Sequence, residues 1–195
     1  MSEEDRTKWE ARYAQHDGKP PEPAQLLVNL AELVPKQGKA LEIAGGAGRN
    51  AIWLAQRGLD VTIADVSQNG LQIAQERART AGVSVQTLPL DVDCDALPAG
   101  PWDLILCAYF LHRPLFSRFP ELLRPGGLLV VIHPTMSNLQ RHPKPPARFL
   151  LEDGELPGLV CGLEIEHYEQ GWLTDERHEA VLVARRCRDE SASDA

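Results

Sequence analysis

Between Lys39 and Ile132 the chain alternates short apolar runs with helix-period segments, and this rhythm constrains the fold more than any other feature. Residues 40–43 read as a first strand. Ala51, Leu54 and Ala55 then recur at helical spacing, and Gly58 ends that helix. Residues 60–65 predict a second strand. Ser67 is the N-cap of a helix whose Leu71, Ala74, Ala78 and Ala81 share a face, and Gly82 stops it. Residues 83–88 and 102–108 predict the third and fourth strands; the unbroken apolar run of the fourth points to burial on both faces. Residues 114–123 predict a helix, Arg124-Pro125-Gly126-Gly127 a turn, and 128–132 a fifth strand. Such alternation argues for an α/β fold, three-layered and doubly wound, with a mostly parallel sheet between helices.

The flanks differ. Residues 3–16 predict a short helix with Trp9 and Tyr13 on one face, broken by Lys19-Pro20-Pro21-Glu22-Pro23, and residues 24–33 predict a second helix. Residues 134–148 are rich in proline and basic side chains and read as a loop. Residues 162–168 and 178–184 predict two more strands, paired antiparallel at a sheet edge, and the small polar tail 189–195 is expected to be disordered.

A chain of 195 residues suits one domain, expected over 1–188, with a full core. No apolar run approaches the roughly 20 residues of a membrane span. The start, Met1-Ser2-Glu3-Glu4-Asp5-Arg6, is too polar and acidic for a signal peptide. A net charge of −8 makes nucleic acid an unexpected partner. Cys94, Cys107, Cys161 and Cys187 are scattered without a C-x-x-C pair, which suggests no metal site, no redox dithiol and a reduced cytoplasmic setting.

The candidate site starts at the end of the first strand, in Glu42-Ile43-Ala44-Gly45-Gly46-Ala47-Gly48-Arg49-Asn50. Glycines let backbone approach a ligand closely, and the helix behind them offers unpaired N–H groups. Gly46-Ala47-Gly48-Arg49-Asn50-Ala51 also fits the dinucleotide fingerprint. Three carboxylates narrow the ligand. Glu42 precedes the glycines, where it suits a cationic amino group or a water-bridged ribose and would repel a pyrophosphate. Asp65 ends the second strand, placed for ribose hydroxyls, which a nicotinamide cofactor would share. Asp91 follows the third strand, placed to accept from an adenine amino group, with the Val92 N–H toward a ring nitrogen. Together they favour S-adenosylmethionine over NAD or FAD. The bland alternative is that each aspartate caps a backbone turn.

These residues resemble the class I S-adenosylmethionine-dependent methyltransferases. Glu42-Ile43-Ala44-Gly45-Gly46-Ala47-Gly48 matches that family's acidic-x-Gly-x-Gly-x-Gly loop, except that Ala44 stands at the first glycine; Arg124-Pro125-Gly126-Gly127 is similar too. Gly48-Arg49-Asn50-Ala51, Asp153-Gly154-Glu155-Leu156 and Glu166-His167-Tyr168 look like the tellurite-resistance methyltransferases, neighbours of the thiopurine methyltransferases. The resemblance implies a Rossmann-like seven-stranded sheet with its last strand antiparallel. It also implies an N-terminal helical cover over 1–36, with Trp9 and Tyr13 at the methionine end of the cofactor; core packing of that helix is the plainer alternative. The cofactor-binding set it implies is Glu42, Ala44, Gly45, Gly46, Gly48, Asn50, Asp65, Val66, Asp91, Val92 and Cys107, with Trp9 and Tyr13.

Methyl transfer from a sulfonium needs positioning and exclusion of water more than a dedicated base. Candidate acceptor-site residues are Tyr109, His112 and Arg113 after the fourth strand, His133 after the fifth, and Arg177 and His178 before the last. Histidine suits a base near neutral pH, and arginine suits an anionic acceptor. Residues 134–150 are expected to form a lid loop. The expected partner is a small-molecule methyl acceptor, of a soft thiol, selenium or tellurium type. The alternatives are a non-catalytic S-adenosylmethionine-binding protein and an NAD(P)-binding oxidoreductase domain.

Overall fold

The structure is a computed structural model that describes residues 3–14, 22–174 and 176–188, with side chains described from Arg6 onward. The chain divides into two compact units, Met1–Ala99 and Gly100–Ala195.

The first unit holds helices α1 (Glu3–Ala14), α2 (Gln25–Asn29), α3 (Arg49–Gln56) and α4 (Gln68–Thr80), and strands β1 (Lys39–Ile43), β2 (Asp60–Asp65) and β3 (Gln86–Pro89). β1 pairs with β2 and β2 with β3, both parallel. Ala40, Leu41, Ile43, Val61 and Ile63 are fully buried, as strands covered on both faces require. Ser67 caps α4 as its position predicts, its hydroxyl accepting from the Gly70 N–H at 3.1 Å. The second predicted helix is shorter than its periodicity suggests: α2 ends at Asn29, turns follow, and Leu33 is exposed. β3 begins at Gln86, later than the apolar pattern implies.

The second unit holds β4 (Trp102–Ala108), α5 (Phe119–Leu122), β5 (Leu123–Pro134), α6 (Leu156–Leu159), β6 (Glu164–Gly171) and β7 (Glu179–Arg185). β4 and β5 are parallel; β7 runs antiparallel to both β5 and β6. The helix predicted over 114–123 is broken. A 3₁₀ helix, Arg113–Arg118, leads into the single turn of α5. Pro114 and Pro120 lack the N–H groups a continuous helix would use. The predicted turn at Arg124-Pro125-Gly126-Gly127 lies inside β5. Register jumps there from Trp102↔Leu123 to Leu104↔Leu128, and Gly126 takes a φ of 79°. The loop 134–148 is more ordered than its composition suggests, with 3₁₀ turns at Met136–Gln140 and Ala147–Phe149.

The seven strands run in the order β3-β2-β1-β4-β5-β7-β6, so the fold is the mixed Rossmann-like sheet expected, with the antiparallel strands at one end. Among the described residues, no helix is long and apolar enough to cross a membrane.

Phe119 is fully buried and packs edge-on to Phe116 with ring centroids 5.6 Å apart. Phe119→Ala should therefore lower the unfolding free energy by about 3–5 kcal/mol, measured by urea denaturation at matched pH.

Candidate functional site

The glycine loop joins β1 to α3, and its backbone is as unusual as its sequence. Ala44, at the departure from the glycine pattern, adopts a φ of 54°, so a side chain stands where the left-handed conformation favours glycine. Its N–H donates to the Ala64 carbonyl at 2.7 Å, which holds the strained residue against β2. Gly48 has a φ of 77°, and a Cβ there would lie 2.8 Å from Ala74 Cβ, so a side chain would push the loop off α4. Arg77 of α4 braces the loop from the same side, donating to the Ala47 carbonyl at 3.3 Å.

Asp65, at the end of β2, clasps this loop. One carboxylate oxygen accepts from the Gly46 N–H at 2.8 Å and the other from the Ser67 N–H at 2.8 Å. Burial raises its pKa, and those two N–H donors pull in the opposite direction. Val66, next in sequence, is buried. Asp91 is also buried; it accepts from the Asp93 N–H at 3.1 Å and from Arg6 of α1 at 3.4 Å. Its neighbour Val92 is half-buried.

Glu42 lies behind the loop. Its side chain is 2% exposed, and Asn50 Nδ2 donates to its Oε1 at 2.9 Å. Asn50 in turn accepts from the Ala24 N–H at 2.9 Å, linking the residues before α2 to the loop. Glu42 Oε2 has no hydrogen-bond partner among the described residues. Burial pushes the Glu42 pKa up to about 7, against the pull of the Asn50 hydrogen bond.

Tyr13 of α1 sits on the loop. A Cβ at Gly46 would stand 1.9 Å from its hydroxyl oxygen, which also accepts from the Ala47 N–H. Burial, then the charge of Asp65, pushes the Tyr13 pKa up to about 12. Trp9 stacks on Tyr13 with centroids 5.9 Å apart. Glu10 accepts from Gln68 and Asn69 N–H at the start of α4, at 2.7 and 3.2 Å. Thus Trp9, Tyr13, Glu42, Gly46, Asn50, Asp65 and Asp91 share one connected region of the first unit. A cavity of about 950 Å³ elsewhere in that unit is lined by Val28, Ile52, Trp53 and Ile73 and includes none of these residues.

The second unit holds the acceptor candidates. Cys107 is buried in β4, and its thiol donates to the Phe110 carbonyl at 3.4 Å. Tyr109, immediately after β4, has a φ of 60°. His112 leads into the 3₁₀ helix. Arg113 is tied to Glu155 and donates to the Leu150 carbonyl at 3.1 Å. That hydrogen-bonded pairing holds the Glu155 carboxyl below its usual range. His133 is a core residue of β5. Its Nε2 bonds the Phe149 carbonyl at 2.8 Å, so Nε2 carries the proton, and burial lowers its pKa to about 4. With that pKa the ring stays neutral near pH 7 and takes up no second proton. His178 Nδ1 bonds the Thr135 hydroxyl at 2.6 Å, and Arg177 lies over the Tyr109 ring. Sequence reasoning missed Arg141 and Trp172: the Arg141 guanidinium lies over the Trp172 ring although the two are 31 residues apart in the numbering, and their separation along the chain gave no signal.

Residues 40–127 match the family model described as a methyltransferase domain. The matched segment is 88 of the chain's 195 residues. It contains the glycine loop, Asp65 and Asp91. The chain is 31% identical over 123 residues to the tRNA 5-carboxymethoxyuridine methyltransferase of Escherichia coli K12, covering 58% of this chain and 46% of that protein. It is 30% identical over 112 residues to the ubiquinone biosynthesis O-methyltransferase of Bordetella avium, covering 54% and 44%. The chain thus spans about half the length of the curated relatives it matches. Among solved structures, TehB from Haemophilus influenzae superposes with a TM-score of 0.71 at 21% identity, over 91% of this chain and 67% of that one. An S-adenosylmethionine-dependent methyltransferase from Mesorhizobium loti gives 0.67 at 19%, over 84% and 98%. At these identities the likeness concerns the fold alone.

Two measurements check this geometry. Ala44→Gly should stabilise the domain by up to about 1 kcal/mol by relieving the left-handed alanine, read from denaturant midpoints. For Glu42, the native pKa exceeds the ordinary 4.5, so the folded chain keeps a proton that the unfolded chain has released. Its contribution is complete below about pH 4.5 and is lost as pH rises through 7. Glu42→Gln should therefore gain about 3 kcal/mol relative to wild type between pH 4.5 and 8; a pH-independent difference between the two would contradict the buried, protonated carboxyl.

Proposed function

We propose that the protein transfers a methyl group from S-adenosylmethionine to a small-molecule acceptor in the cytoplasm. The observation that carries this reading is the glycine loop of the methyltransferase domain, clasped by Asp65 and approached by Tyr13. The residues fit that cofactor: a loop without a side chain at Gly46, the start of α3 beside it, and carboxylates after β2 and β3 suited to ribose and adenine. Gly45, Gly46, Gly48, Asp65, Val66, Asp91 and Val92 hold the cofactor, with Trp9 and Tyr13 covering it. Ala44 shapes the loop, Cys107 lines the end of β4, and Glu42 and Asn50 support the loop from behind. This makes Glu42 a support carboxyl and not the partner of a ligand amine.

S-adenosylmethionine supplies, when bound, a methyl group already activated on sulfur. The chain's own residues therefore position the acceptor and exclude water. A neutral, buried His133 suits this role better than proton storage. Soft acceptors of the thiol, selenium or tellurium type need little base assistance, and the motifs shared with the tellurite-resistance methyltransferases favour them. A second reading has a specific support. The Escherichia coli relative is named for 5-carboxymethoxyuridine in tRNA, so an acceptor carried on RNA competes with the free small molecule despite the acidic charge of this chain.

Incubation with S-adenosyl-[methyl-³H]methionine and a panel of thiols, selenite, tellurite and bulk tRNA tests the reading. Label is expected in a small-molecule product; label in tRNA alone would favour the second reading, and binding without transfer to any acceptor would indicate a non-catalytic role. Asp65→Ala should weaken S-adenosylhomocysteine binding at least about tenfold, by calorimetry on the folded variant. Gly46→Val should do the same by placing bulk in the loop.

A further inference from the structure

The second unit carries a row of cation–ring contacts that joins four segments distant in sequence. The Arg141 guanidinium lies 3.7 Å from the centroid of the Trp172 ring. The Trp172 ring meets His178 edge-on at 5.3 Å and His142 at 6.3 Å. Arg177, adjacent to His178, lies 5.5 Å from the Tyr109 centroid. Arg148 lies 4.7 Å from the centroid of Phe149.

Among the described residues, Arg113 pairs with Glu155, Arg124 with Asp103 and Arg185 with Glu166, whereas Arg141, Arg148 and Arg177 carry no carboxylate partner. All three are exposed. Stacking engages the face of a guanidinium and leaves the in-plane N–H donors for an anion. Holding the side chain on a ring also removes part of the entropy cost of ordering it later.

The local charge has the same sense. Residues 134–150 include Arg141, Lys144 and Arg148 and no acidic residue, in a chain whose net charge is −8. Next along the chain, Glu152 is exposed, Asp153 is engaged with Ser137 and Glu155 with Arg113. Glu176, beside Arg177, is exposed to solvent. The segment is fixed as well as basic. His178 N–H donates to Asn138 Oδ1 at 3.3 Å, Thr135 N–H to the His178 carbonyl at 3.0 Å, and Asn138 Nδ2 to the Lys144 carbonyl at 3.3 Å.

Tyr109 marks where this row meets the sheet. It follows the carboxyl end of β4, the end of the strands at which open α/β sheets bind ligands. Its φ of 60° is a costly conformation for an aromatic residue, held by the hydrogen bond from its N–H to the Ile132 carbonyl at 2.8 Å.

We propose that Arg141, Arg177 and the rings beneath them form the acceptor subsite, and that it selects an acceptor carrying a carboxylate or phosphate together with a planar ring. The proposal rests on the methyltransferase reading above and adds the charge of the acceptor. Arg177 and Arg141 hold the anion, and the free face of a stacked guanidinium receives the ring.

The test titrates the full-length chain, saturated with S-adenosylhomocysteine, with two pairs of probes matched except in charge. The pairs are 2-mercaptobenzoate with 2-mercaptobenzamide, and 5′-UMP with uridine. Binding is read by tryptophan fluorescence. The acid of at least one pair is expected to bind at least about tenfold more tightly than its neutral twin. Preference in the first pair assigns a free aromatic acid, and preference in the second a nucleotide phosphate. Arg141→Gln and Arg177→Gln should each reduce the preference, and Arg141→Lys, which keeps charge but loses the planar fork, should retain part of it. Equal affinity within both pairs, no binding of any probe, or an unchanged preference in the double glutamine variant would overturn the proposal. The homocysteine titration on the same samples separates the two levels. Failure of wild type to bind S-adenosylhomocysteine defeats the methyltransferase reading, whereas intact binding without charge preference defeats only the anionic subsite.

Discussion

Both carboxylate oxygens of Asp65 accept backbone N–H groups, one from the glycine loop after β1 and one from the start of α4, and the first unit is organised around that bridge. A glycine-rich turn is loose by composition, because each glycine adds conformations to the unfolded chain. Here the turn is held on three sides: by Asp65 from β2, by Arg77 from α4, and by the Ala44 N–H bonded to the Ala64 carbonyl. The carboxylate that a ligand-centred reading assigns to ribose is thus also the clasp that shapes the loop. Preorganisation of this kind lowers the entropy cost of holding a flexible cofactor.

Behind the loop a second, different carboxyl works by being buried. Glu42 accepts from Asn50, and Asn50 accepts from Ala24, so hydrogen bonds tie the loop, the start of α3 and the approach to α2 together. A fully desolvated carboxyl with one unpartnered oxygen favours its protonated form, which explains its raised pKa without any nearby anion as the main cause. The pair shows how two acids only 23 positions apart take different roles from burial and hydrogen bonding alone.

Much of this was legible in the residues. β2 and β4 fall where their apolar runs place them, and Ser67 caps α4 as predicted. The departures have local physical causes. Pro114 and Pro120 divide a helix that apolar spacing alone would continue, and the bulge around Gly126 absorbs a predicted turn into β5. At the site, the strand-end acids and the loop were visible, but the depth of Glu42 was not, since a strand residue faces either side of a sheet by parity. The stacks of Arg141 on Trp172 and Arg177 on Tyr109 join segments far apart in the chain, and no spacing rule reports such pairs. Helix α1 lay between these cases: its Trp9–Tyr13 face is periodic, while its seat on Gly46 is tertiary.

The proposed function requires this loop to cradle a sulfonium nucleoside and not a dinucleotide. Side-by-side calorimetric titration of the full-length chain with S-adenosylhomocysteine and with NADPH tests it most directly. Saturable, one-to-one binding of S-adenosylhomocysteine and no binding of NADPH are expected. Tight NADPH binding with no affinity for S-adenosylhomocysteine would contradict it.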